Sequence, residues 1–113
     1  MVDGTTGDVD RDTRRVAVTV GETFPVRLWE DRTRGEEWVP AYDRTALSLE
    51  NDEFLRTISG NAVDAGRRLF EFRAVCEGLH RLVFEKRMGW KFTAEDRRVF
   101  LVTVTARTDA GHA

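Results

Sequence analysis

The chain contains one cysteine, no excess of positive charge and no apolar run long enough to cross a membrane, and each absence removes a class of function. Cys76 cannot form an internal disulfide, which suits a reducing compartment without requiring one. With 18 basic and 20 acidic side chains and a pI of about 5.7, the chain lacks the broad positive field that carries non-specific nucleic-acid binding. No block of like charge forms an interaction tail, and nowhere do apolar residues run together for the 18 or so that a span needs. The start, Met1-Val2-Asp3-Gly4, has neither a basic nor an apolar leader region, so as it stands the chain is expected in the cytoplasm, or outside it if a signal was removed. At 113 residues it fits one domain, and about two-thirds of the unfolded surface is buried at this size, so folding needs no metal or cofactor.

What is present is alternation. Residues 1–13 hold almost no large apolar side chain and read as a flexible leader, 108–113 as a tail, and 14–107 as the folded domain. Val16, Val18 and Val20 alternate with polar or small residues, then Gly21-Glu22 turns into Phe24, Val26 and Leu28. Pro25 has no ladder donor, so its strand is expected at an edge or a bulge. Glu30 to Glu36 reads as a long exposed loop before a strand carrying Trp38 and Val39. Ala46–Glu50 and Phe54–Ser59 read as short strands around an Asn51-Asp52 turn. Phe70, Phe72, Ala74 and Cys76, then His80, Leu82 and Phe84, read as a long hairpin turning at Glu77-Gly78, and Phe100, Val102 and Val104 mark the last strand. Seven or eight antiparallel strands without a convincing helix make an all-β sandwich.

Chemistry is scarce. Cys76 and His80 flank one turn, but the alternation points both to the apolar face, where a thiolate is disfavoured. A zinc site would need three or four converging ligands, and no phosphate-binding glycine motif occurs. Glu36-Glu37, Asp52-Glu53 and Glu95-Asp96 read as solvated carboxylates. The 16 arginines, against two lysines, read as the wet faces of strands among interspersed carboxylates. Trp38 is expected in the core or covering a sheet edge, Trp29 at the rim or in the core, and Trp90 either folded back over the sandwich end or used at an interface.

Three segments carry a resemblance. Val20-Gly21-Glu22-Thr23-Phe24 through Asp31-Arg32-Thr33-Arg34-Gly35 to Trp38 is similar to a VGETF…NPTTGYxW signature. Gly66-Arg67-Arg68-Leu69-Phe70-Glu71-Phe72-Arg73-Ala74-Val75 with Gly78 resembles GxGG…TFTFKAV…PG. Arg87-Met88-Gly89-Trp90 and Phe100-Leu101-Val102-Thr103-Val104 stand where RPW and FTVTV would be. These belong to the chagasin-like inhibitors of papain-type cysteine proteases, and the likeness covers roughly residues 16 to 105. Thr33, Gly35, Gly66 and Trp90 match the loop motifs, whereas Asp31, Arg32 and Arg34 replace Asn, Pro and Thr.

The resemblance implies an immunoglobulin-like sandwich, no enzymatic activity, no cofactor, and a papain-type cysteine protease as partner; the chain itself is expected to be a monomer. It implies that three end loops occlude the cleft, made here of Asp31, Arg32, Thr33, Arg34 and Gly35, of Asp64, Ala65 and Gly66, and of Arg87, Met88, Gly89 and Trp90. Thr33 and Gly35 would lie nearest the catalytic centre, Gly66 would allow close approach, and Trp90 would pack on the protease. Arg32, Arg34 and Arg87 would complement an acidic cleft rim. The alternative is a non-inhibitory binding or adhesion module on the same sandwich, since fold alone does not fix function.

Overall fold

The computed structural model describes residues 13–56, 65–89 and 94–107. Its strands are β1 (Thr13–Thr19), β2 (Thr23–Asp31), β3 (Glu36–Ala41), β4 (Leu47–Arg56), β5 (Ala65–Ala74), β6 (Gly78–Met88) and β7 (Ala94–Thr105). The helical content among the described residues is one 3-10 turn, Arg32–Arg34. The strands form two sheets, β1-β7-β6-β3 and β2-β5-β4, packed face to face as an immunoglobulin-like β-sandwich.

Alternation builds the core as expected. On β2 every second residue is buried from Phe24 to Glu30, and β2 is an edge strand, where the missing N–H of Pro25 does no harm. Phe70 and Phe72 of β5, fully buried, face Leu82 and Phe84 of β6 and Val102 of β7, also fully buried. The Phe70 and Phe84 rings lie 4.8 Å apart, and Phe72 meets Tyr42 edge-on at 5.1 Å. Each such phenylalanine contributes about 1.5–3 kcal/mol by leaving water, so this aromatic seam between the sheets carries much of the stability.

Four expectations are corrected by the long-range pairing. The segments 70–76 and 80–84 are strands but not a hairpin: β5 pairs with β2 and β4, whereas β6 pairs with β3 and β7 in the other sheet. The turn at Glu77-Gly78 therefore carries the chain across the core. Ala46–Glu50 and Phe54–Ser59 are not separate strands. One strand, β4, runs through Asn51-Asp52, and a bulge between Leu49 and Asn51 absorbs the irregularity that resembled a turn; residues 57–59 lie outside the described residues. The polar stretch from Glu30 is no long loop, because β2 extends to Asp31 and β3 begins at Glu36. Finally, one pair is parallel: β1 runs alongside β7 from Thr13↔Val99 to Thr19↔Thr105. Thr13 thus opens β1, while the rest of the expected leader and the tail 108–113 lie outside the described residues.

Candidate functional site

Strand register brings three connections to one end of the sandwich. In one sheet Asp31 pairs with Ala65 and Arg56 with Gly66; in the other Glu36 pairs with Met88 and Arg87 with Ala94. The β2–β3, β4–β5 and β6–β7 connections therefore leave side by side, and the N–H of Gly89 donates to the carbonyl of Gly35 at 3.2 Å, joining the first to the third. Asp64 and Trp90 lie outside the described residues, so of the expected site the structure brings together Asp31 to Gly35, the backbone at 65–66, and Arg87 to Gly89.

The first connection is a tight, capped turn. Asp31 accepts from the Thr33 N–H at 3.1 Å and from its hydroxyl at 2.5 Å, and Gly35 closes the turn with φ 78° and an N–H bond to the Arg32 carbonyl at 3.1 Å. The tripeptide Asp-Arg-Thr recurs at Asp43-Arg44-Thr45, at the other end of the sandwich, with the same bonds at 2.9 and 2.6 Å. It is a local turn-builder, because a short acidic side chain satisfies the N–H two residues on.

What sets the first copy apart lies beneath it. Glu30 and Glu36, flanking the turn, are buried, as is Arg68. Both carboxylates had been expected in solvent, and Arg68 on a wet strand face; pairing makes their burial tolerable. Glu30 takes the Trp38 N–H at 2.8 Å, Arg68 Nη1 at 2.9 Å and Arg32 Nε at 2.8 Å. Arg68 is also clamped by Asp52, which takes Nε at 2.6 Å and Nη2 at 3.0 Å. Glu36 accepts from the Asp31 N–H at 3.1 Å and pairs with Arg34 at 3.2 Å and Lys86 at 3.7 Å. Sequence reading missed Glu30, Glu36, Arg68 and Asp52, although phase marks three of them: Glu30 follows Phe24, Val26 and Leu28, Arg68 precedes Phe70 and Phe72, and Glu36 precedes Trp38, each two residues apart.

Individual site residues take specific places. Thr33 is exposed at the tip. Arg32, Arg34 and Arg87, expected to face a partner's charge, each pair with the chain's own carboxylate, Glu30, Glu36 and Glu85 respectively. Gly66 is buried inside β5, where an added Cβ would collide with the Leu55 carbonyl and come within 2.9 Å of the Arg56 Cα, so its missing side chain serves strand packing. Met88 is buried and Gly89 exposed. Trp38 is core, with Trp29 at the rim, 54% exposed.

Among the described residues, nothing at this end resembles a catalytic centre. Cys76, expected on the apolar face, is exposed beyond the end of β5, where alternation has ceased, at the opposite end of the sandwich. His80, half-buried, bonds the Cys76 carbonyl at 2.8 Å and not its sulfur. Among the described residues no group of three or more histidine, cysteine or acidic side chains could hold a metal.

The comparisons agree on the fold. The structure of a cysteine protease inhibitor, EhICP2, from Entamoeba histolytica superposes with a TM-score of 0.74 at 13% identity, covering 84% of this chain and 89% of that one. PbICP-C, solved in complex with falcipain-2, superposes with a TM-score of 0.62 at 13% identity, covering 85% and 88%. No curated protein matches by sequence. Residues 17–104, nearly the whole described sandwich, match the Chagasin family peptidase inhibitor I42, and the chain belongs to that family of inhibitors.

Proposed function

We propose that the protein is a reversible, competitive inhibitor of papain-type cysteine proteases that acts by filling the active-site cleft. The observation that carries this reading is the convergence of three connections at one end, the first a short capped turn braced from below. Such a wedge performs no chemistry. It excludes substrate, and it binds well because a turn already held in shape loses little entropy on docking.

In this reading Asp31 to Gly35 enter the cleft with Thr33 foremost, and Asp64 to Gly66 and Arg87 to Trp90 flank it. Trp90 is the anchor, since a large aromatic side chain gains most from burial at an interface. The relative solved in complex with falcipain-2 and the inhibitor from Entamoeba histolytica support the choice of partner class.

The test is titration of papain and a cathepsin L-type enzyme with a fluorogenic peptide, using the wild-type chain, Thr33→Arg and Trp90→Ala. Competitive inhibition weakened by both changes is the expected result. A folded wild-type chain that leaves both enzymes untouched at high micromolar concentration would instead favour a non-inhibitory binding module.

A further inference from the structure

We propose that Glu30 is a positioning residue of the wedge, holding the Thr33 turn in its binding shape through Arg32; the proposal rests on the inhibitor reading above. Glu30 is fully buried on the core face of β2, one residue before Asp31. Its two oxygens divide their work. Oε2 holds Arg32 inside the turn at 2.8 Å, while Oε1 holds the Trp38 N–H, on the strand that follows the turn, and Arg68 in the centre of the neighbouring strand.

One carboxylate thus ties together the strand before the turn, the turn itself, the strand after it in the opposite sheet, and β5. Arg32 is pinned at a second point, its guanidinium carbon 4.0 Å from the centre of the Phe54 ring on β4. Since the Arg32 carbonyl accepts the closing bond from Gly35, fixing this side chain fixes the backbone on both sides of Thr33.

A purely structural role, neutralising buried Arg68, does not account for the arrangement. Asp52 already engages Arg68 through both carboxylate oxygens. What Glu30 supplies and Asp52 does not is an ion pair to Arg32 and an acceptor for the Trp38 N–H. The second Asp-Arg-Thr turn makes the contrast: Asp43 and Thr45 repeat the cap, but Arg44 stacks only loosely, 5.6 Å from the Tyr42 ring centre, and among the described residues no buried carboxylate lies beneath. The capped turn is common to both ends; the brace belongs to the wedge. It also stands where the resemblance places a proline, so an ion pair does here what ring closure does elsewhere.

The experiment compares the full-length chain with Glu30→Gln, Arg32→Ala and the double variant, reading inhibition of papain and amide hydrogen exchange. Loss of the brace lowers the fraction of molecules with a competent turn, so each single variant is expected to inhibit roughly tenfold less well. Because Glu30 acts through Arg32, the double variant is expected to be no weaker than Glu30→Gln alone. Effects that multiply, or an unchanged inhibition constant for Glu30→Gln, would overturn the proposal. Exchange at the Thr33 and Gly35 amides is expected to quicken in both single variants while Phe72 and Val102 stay protected. That readout is independent of inhibition: a wild-type chain that fails to inhibit defeats the functional reading, whereas unchanged Thr33 exchange defeats the positioning role. Should Glu30→Gln not fold, Arg32→Ala, whose side chain is 45% exposed, gives the same decision from exchange alone.

Discussion

The indole N–H of Trp38, on β3, donates to the backbone carbonyl of Trp29, on β2, at 2.7 Å, and so bolts one sheet to the other at the end where the candidate site sits. Trp38 is buried with Lys86 and Arg98 over its ring at 5.7 and 5.6 Å, which leaves its only polar atom dependent on that one acceptor. Trp38→Phe keeps most of the apolar contact and removes the donor. A loss of about 1–2 kcal/mol in urea denaturation is expected; no loss would mean that the bond contributes nothing beyond packing.

Arg68 is the cation between two carboxylates, one of them fully buried. Arg68→Met leaves Glu30 facing the core with only surface-derived Arg32 as a charged partner. Breaking a buried pair from one side typically costs about 3–5 kcal/mol, and equilibrium unfolding of this variant should fall in that range. A change under about 0.5 kcal/mol would show that Arg32 and the Trp38 N–H suffice for Glu30.

Gly66 tests strand spacing. The β4 backbone occupies the place its Cβ would take, so Gly66→Ala must push Leu55 and Arg56 away from β5. The expected penalty is about 1–3 kcal/mol, accompanied by shifted amide resonances at residues 55 and 56. A neutral substitution would mean that the two strands part there without cost.

Among the described residues, three carboxyl groups are held below their ordinary values. Asp43 is lowered by the Thr45 hydroxyl and N–H; Glu85 is lowered by hydrogen bonding from Arg87, with Arg97 adding to it. Partial burial pushes Asp96 up, but the Arg97 N–H and the Arg98 guanidinium outweigh it and leave it low. A depressed folded value means stability fully present above the ordinary values of 3.8 and 4.5 and lost as pH falls through the folded ones. Melting temperature is expected to hold level down to about pH 5 and decline below about pH 4, less steeply in Asp43→Asn. Rising stability on acidification would contradict these assignments.

Because Arg32, Arg34 and Arg87 are each engaged by the chain's own carboxylates, these three arginines offer a partner little uncompensated charge. Association with a target protease is therefore expected to slow by less than about threefold between roughly 0.05 and 0.5 M salt in stopped-flow measurements. A steep salt dependence would show that these arginines let go of their partners during encounter.

Alternation made the strands legible, and from Phe24 to Leu28 or Phe70 to Ala74 it named the core residue by residue. It failed where charge and phase disagreed. Glu30, Glu36 and Arg68 keep the inward phase of their strands, yet a carboxylate or guanidinium at an inward position reads as surface until its partner is known, and Arg68 meets Glu30 from 38 residues away. Pairing was illegible for a different reason. A turn such as Glu77-Gly78 can close a hairpin or cross between sheets with the same local sequence, and only the distant partners of β5 and β6 decide. Two of the expected contact residues, Asp64 and Trp90, lie outside the described residues, so their place in the site rests on the resemblance.

The parallel contact of β1 with β7 has a mechanical consequence. The first strand and the last lie side by side and run the same way, in register over seven residue pairs. Tension applied to the two chain ends would drag these strands past each other lengthwise and load their ladder bonds all at once, rather than peeling them open one by one. Tethered by its ends, the sandwich would resist extension by shear of that ladder.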